Sequence, residues 1–195
     1  MINIRKLAGN NQGVTLVEFA MIAPALLIML LGLFELGYNF YVNTQLQGAI
    51  QKAARDSTIE GADSKISVID DRVKSAVFVI VPNATIDFKR TSYTTFSQIG
   101  RPEDFTDDNT DGVCNDGEAF EDANGNGSWD ADSGTAGRGG ARDAVLYEVK
   151  VSYPRTFSVV KLIGLSKNVQ TSATTILRNQ PYDTQQNAIS VGECS

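Results

Sequence analysis

The chain has 195 residues, a net charge of −6 and no histidine. That length holds one globular domain plus an anchor. The acidic balance argues against a nucleic-acid partner, which wants a basic face, and without histidine the commonest general base and transition-metal ligand is missing.

Residues 9–37 read GNNQGVTLVEFAMIAPALLIMLLGLFELG. From Val14 to Val42 the pattern predicts one helix in which only Glu18 and Glu35 are charged. A membrane span needs about 20 apolar residues, and Val14–Phe34 supplies them. Arg5 and Lys6 precede the run, so a leader over 1–13 is expected to stay cytoplasmic, with everything after the span outside. A secretory signal peptide would need a small-x-small site after its core. Here the core runs into Leu33, Phe34, Glu35 and Leu36. A plain uncleaved anchor explains the hydrophobicity but not Glu18, since carboxylates at membrane depth are expensive and usually functional.

Gly13-Val14-Thr15-Leu16-Val17-Glu18-Phe19 resembles the processing site of type IV prepilins. The resemblance implies cleavage after Gly13, leaving Val14 as the new amino terminus and Glu18 at the fifth mature position. It also implies that Glu18 pairs with the terminal amine of a neighbouring subunit, because a buried charge left alone is destabilising. Glu18-Phe19-Ala20, Pro24, Glu35-Leu36-Gly37, the downstream LQGAIQKAAR and the late TTILRNQPY are similar to the TadE-like pseudopilins of the tight-adherence (Flp) pilus. That family implies a minor pilin in the bacterial inner membrane, single-pass, with its head outside. Its implied partners are other pilin or pseudopilin subunits, a prepilin peptidase and the inner-membrane assembly platform. Pro24 costs one backbone hydrogen bond and frees the Ala20 carbonyl; it marks either an ordinary kink or a segment that melts in the filament.

The first helix is expected to continue to residue 57, with Leu46, Ala49, Ile50, Ala53 and Ala54 at helical spacing. Thr58–Ala62 breaks it. A second helix starts at Asp63 or Ser64 as N-cap, carries Ile66, Ile69, Val73, Ala76, Val77 and Ile80 on one stripe, and ends at Pro82. The period then becomes two. Ile86 and Phe88 begin one strand; Val145, Tyr147, Val149, Val151 and Tyr153 share a face of the clearest one; Val169 to Leu177 forms a third. Phe157–Leu165 is apolar but ambiguous, and the tail from Gln180 shows no periodicity. The expected fold is α+β: a long transmembrane helix over 14–57, then a small pilin-like head over 58–195 with a second helix and an antiparallel sheet.

An acidic insert interrupts the head between about residues 100 and 140. Eleven Asp or Glu lie between Glu103 and Asp132, with no Lys or Arg; without them the net charge of −6 becomes +5. Its composition predicts no core of its own. Asp107, Asn109, Asp111, Gly112 and Glu118 fit the pattern D-x-[DN]-x-[DN]-G-x5-E. Alternate oxygen ligands in that pattern converge on Ca2+, with the Val113 carbonyl and Asn115 completing the shell. Fifteen residues on, Asp122, Asn124, Asn126, Gly127 and Asp130 repeat it, with the Ser128 carbonyl. The closing glutamate is replaced by Ser133, so either Asp132 substitutes or the second of the two Ca2+ sites is weaker. Only Ala119, Phe120 and Glu121 separate the loops, which leaves no room for EF-hand helices. The insert is similar to the tandem calcium loops of thrombospondin type 3 or dockerin-like repeats. The competing reading is a solvated acidic loop.

Cys114 and Cys194 are the only cysteines. Outside the reducing cytosol a disulfide between them is expected; two separate thiols are the alternative. No catalytic constellation is present, so the chain is not expected to be an enzyme. Two functions compete: a minor pilin-like subunit stabilised by Ca2+, and a membrane-anchored calcium-binding adhesion module that does not polymerise.

Overall fold

The computed structural model describes residues 13–57, 65–157, 164, 166–180 and 189–195. The leader with Arg5 and Lys6, the break at Thr58–Ala62, the expected caps Asp63 and Ser64, and most of the ambiguous Phe157–Leu165 stretch lie outside these residues.

Helix α1 runs from Val14 to Ser57, 44 residues, and continues past Pro24. Its first part is long and apolar enough to cross a membrane. Leu16, Phe19, Met21 and Phe34 are among its many exposed apolar side chains. From Val42 the pattern changes to a stripe. Val42, Leu46, Ile50, Ala53 and Ala54 are buried, as their spacing requires of a helix with one face on a core. Helix α2 is Ile66–Phe78 and buries Ile69, Val73 and Val77; Ala76, expected on that stripe, is exposed. Arg72 of α2 reaches Asp56 of α1 at 3.0 Å.

The strands are β1 (Thr85–Tyr93), β2 (Ala119–Asp122), β3 (Thr135–Ala136), β4 (Ala144–Pro154), β5 (Asn168–Arg178) and β6 (Ser190–Glu193). One sheet has the order β3-β1-β4-β5, and β2 and β6 form a separate ribbon. β1 and β4 are antiparallel, with Phe88 opposite Val149 and Arg90 opposite Tyr147. Side chains opposite one another share a face. One face therefore carries Val145, Tyr147, Val149, Val151 and Tyr153, all buried. The other carries Asp87 opposite Lys150 and Lys89 opposite Glu148, a ladder of opposite charges suited to water. At the buried face, the Tyr147 hydroxyl donates to Asp70 of α2 at 2.9 Å, and Arg90 donates to the same carboxylate at 3.1 Å. Among the described residues the fold is α+β, with two α-helices and an antiparallel sheet, as the periodicities predict.

The chain divides into two compact units. One comprises residues 42–153 and 170–195: the C-terminal part of α1 from Val42, α2, most of the strands and the insert. The other joins residues 1–41 to 154–169, the connection between β4 and β5.

Two expectations are corrected. The insert has a small core: Phe120 is 1 % exposed, Phe105 bridges to it, and Trp129 packs edge-on against Phe105 at 5.9 Å. The tail likewise supplies a strand, β6, antiparallel to β2. Gly192 makes this possible, since a Cβ there would lie 2.4 Å from the Phe120 ring. The apolar residues of the insert are too few and too scattered to show a period, and they find one another only across the folded loops.

Candidate functional site

Residues 107–118 and 122–133 fold alike. In the first loop Asp107 accepts the amide N–H groups of Asp111 (3.1 Å) and Gly112 (2.9 Å). In the second Asp122 accepts those of Asn126 (3.1 Å) and Gly127 (3.0 Å). Asn109 Oδ1 accepts the Asp111 N–H at 2.9 Å, and Asn124 Oδ1 accepts the Asn126 N–H at 3.0 Å. Asp111 then accepts from the Val113 N–H, and Asn126 from the Ser128 N–H. Short Asp and Asn side chains hold such turns because they reach backbone donors a few residues on. Gly112 and Gly127 both have φ +79, where a Cβ is disfavoured. Two positions earlier, Gly125 has φ +75 and Thr110 has φ 61; the β-branched Thr110 is strained there and is held by the turn around it.

The closing group of each loop is a buried glutamate. Glu118 Oε1 accepts the Asp108 N–H at 2.9 Å and Oε2 the Asn115 N–H at 3.2 Å. These are the second and ninth positions of the first loop. In the second loop the same positions are Ala123 and Asp130. Their N–H groups go to Glu103, at 2.9 Å to Oε1 and 3.0 Å to Oε2. Glu103 thus does for the second loop what Glu118 does for the first, although it precedes both. Ser133 instead donates its hydroxyl to the Gln98 carbonyl. Asp132 accepts from the Tyr93 hydroxyl and the Gly134 N–H. The signal for Glu103 was in the sequence: it precedes Glu118 by the same fifteen residues that separate Asp107 from Asp122.

Each loop therefore gathers three carboxylates and two amides: Asp107, Asp111 and Glu118 with Asn109 and Asn115, and Asp122, Asp130 and Glu103 with Asn124 and Asn126. In the first, both amides donate to Asp111 Oδ2, at 3.0 Å each. In the second, both donate to Asp130 Oδ2, at 2.7 and 2.6 Å. No three acidic side chains form a ready-made metal cage among the described residues; the asparagine amide donors occupy the middle of each loop. Glu103, Glu118 and Asp122 are 2 %, 4 % and 4 % exposed. Among the described residues none of them pairs with a Lys or Arg, and a buried charge without a counter-charge is strongly unfavourable. The donor set is all oxygen, which fits a hard cation of the Ca2+ kind, provided the amides turn their oxygens inward. The amides of Asn115 and Asn109 and the Val113 N–H hold the Asp111 carboxyl below its ordinary range, chiefly through Asn115.

A strap crosses both loops. Cys114, in the first loop, is disulfide-bonded to Cys194, with the Cα atoms 5.5 Å apart. The Cys194 N–H donates to the Glu118 carbonyl and the Gly117 N–H to the Cys194 carbonyl. At the other end of β6 the Ser190 hydroxyl reaches Asp122 Oδ2 at 3.3 Å. The Trp129 indole N–H donates to the Glu103 carbonyl at 2.8 Å, fixing the residue that closes the loop containing the tryptophan.

At the other end of the chain Gly13 directly precedes α1, Val14 is its first residue, and Glu18 lies exposed in its second turn. Residues 13–55 match the family model of TadE-like proteins. The N-terminal helix is similar to that of TadE-like proteins. The TadE-like match thus begins at the glycine of the expected processing site and covers nearly all of α1, including Glu18, Pro24 and Glu35. The insert and the sheet lie outside it. No curated protein and no solved structure matches the chain.

Proposed function

We propose that the chain is a minor pilin-like subunit of a bacterial tight-adherence pilus, carrying an arm stiffened by two Ca2+ ions. The observation that carries the first half is the coincidence at the N-terminus: the TadE-like match opens at Gly13, the helix opens at Val14, and Glu18 stands at the fifth position after the glycine. A prepilin peptidase cutting after Gly13 leaves a charged amine next to Glu18 of a neighbouring subunit. Two opposite charges in a low-dielectric helix bundle form a register device, because misplacing either leaves it unpaired. Residues 14–34 cross the inner membrane and the head lies outside.

The second half rests on the duplicated loops. Bound Ca2+ supplies the positive charge that six clustered carboxylates lack. Asp107, Asn109, Asp111, Val113, Asn115 and Glu118 hold the first ion. Asp122, Asn124, Asn126, Ser128, Asp130 and Glu103 hold the second. With Glu103 in place of Asp132, the loops present equal numbers of carboxylates, so the second site has no reason to be weaker. Loading removes mutual repulsion among the acids and sets the arm rigid.

N-terminal sequencing of the protein extracted from membranes of a host with the peptidase tests the pilin reading. A mature chain starting at Val14 is expected. One still starting at Met1 contradicts it and favours an anchored calcium-binding module that does not polymerise. Glu18→Ala is expected to leave cleavage intact and to abolish incorporation into filaments.

A further inference from the structure

The charge of the chain is divided in space. Residues 103–132 hold eleven acids and no Lys or Arg, so the remainder carries +5 of the net −6. Asp104 and Glu121 of the arm are exposed and lie outside both sets of proposed ligands. They stand side by side, because the Glu121 N–H donates to the Asp104 carbonyl at 2.8 Å. Among the described residues neither carboxylate forms an ion pair, although Arg101 lines the same cleft. Like charges facing one another across paired strands repel.

A second pair of like charges lies on the sheet. Arg178 ends β5, and its Nε–H donates to the Arg142 carbonyl at 3.0 Å. The Asn179 N–H donates to the Asp143 carbonyl at 2.9 Å, so the end of β5 lies against the turn that leads into β4. Both arginines are exposed, and among the described residues neither meets a carboxylate. Asp143, the acid beside them, is buried and accepts the Gly140 N–H at 2.7 Å. Arg142 has φ 67, a left-handed backbone that glycine adopts at less cost. Strain of that kind gathers at functional sites.

The two pairs belong to opposite edges of one end of the sheet. Tyr93, the last residue of β1, faces Ala144, the first of β4. The arm leaves after β1 and returns through β3, which pairs with Thr91 and Ser92. β3 and β5 are the outer strands, three strand spacings or about 14 Å apart. With two copies side by side, the acids of one therefore meet the arginines of the other.

We propose that Arg142 and Arg178 form a carboxylate socket that takes Asp104 and Glu121 of a second copy, head to tail. Each contact relieves two like-charge repulsions at once. Arginine and carboxylate can pair through two parallel hydrogen bonds. A single exposed ion pair is worth little, so the two act together, and the contact is sensitive to salt. A head-to-tail contact is heterologous and builds rings or open chains. The socket depends neither on calcium nor on cleavage after Gly13.

The test follows the full chain in detergent micelles by sedimentation velocity. Self-association that grows with concentration and weakens as salt rises is expected. Arg142→Glu with Arg178→Glu is expected to weaken it about ten-fold or more, and so is Asp104→Lys with Glu121→Lys. A chain carrying all four reversals is expected to associate again, which damage to the fold could not produce. Arg142→Gly with Arg178→Gln removes the charges on a backbone that suits glycine, and is expected to weaken association as well. Association unchanged by that neutral pair, or not restored by the four reversals in a chain of unaltered circular dichroism, overturns the proposal. So does a wild-type chain that stays monomeric yet binds phosphatidylglycerol vesicles through Arg142 and Arg178, which assigns the pair to lipid phosphate.

Discussion

The Glu103 carboxylate accepts the N–H of Asp130 at 3.0 Å, across 27 residues of chain. That single contact makes the two loops one interlocked object, because the group closing the second enters from before the first. Glu103→Gln keeps the shape and the acceptor oxygen but removes the charge. The expected outcome is a fall in bound Ca2+ from two ions to one in calorimetry, with the first loop unaffected. Two ions still bound with unchanged affinity would remove Glu103 from the site.

The disulfide closes a loop of 80 residues between Cys114 and Cys194. In the chain-entropy model such a cross-link is worth about 4–5 kcal/mol. Reduction, or Cys194→Ser, is expected to lower the urea midpoint and to raise proteolysis of β6 and the insert first, because β6 is held at Cys114, Glu118 and Asp122. Equal protease resistance with and without reductant contradicts this.

Tyr93 is 3 % exposed, and burial, reinforced by its hydrogen bond to Asp132, pushes its phenol up to about 12. A phenol raised in the folded state contributes stability that is complete below its ordinary value of about 10 and is lost as pH rises through the folded value. Stability is therefore expected to decline between about pH 10 and 12, and Tyr93→Phe to remove that part of the decline. Phenolate absorbance followed with unfolding checks it; an unchanged profile in Tyr93→Phe assigns the decline elsewhere.

How far the sequence could be read depended on periodicity. α1, α2 and β4 each bury one face against a single partner layer, so Leu46, Ile50, Val73 and Val149 recur at the helix or strand period. The duplicated turns of the two loops were legible for a different reason: turns closed by Asp and Asn side chains require those residues at fixed offsets. Glu103 escaped because it precedes both loops, and its only trace in the sequence is the fifteen-residue offset from Glu118. So did β6, a strand of four residues on which Gly192 matters for what it lacks. The Glu35–Arg155 pair joins positions 120 residues apart, and local pattern cannot predict such a distance.

Calorimetric titration of the full chain with Ca2+, read alongside Trp129 fluorescence, tests the calcium-stiffened arm most directly. Trp129 is the only tryptophan, and its indole is bonded to the residue that closes the second loop, so filling that loop must change its surroundings. Two ions are expected, with affinities of about 10⁻⁴ to 10⁻³ M, the range of extracellular modules. Mg2+ is expected to compete poorly, since it holds its water and demands a tighter octahedron. No heat and no change in Trp129 emission at millimolar Ca2+ would contradict the account and leave the insert a folded acidic arm without a metal.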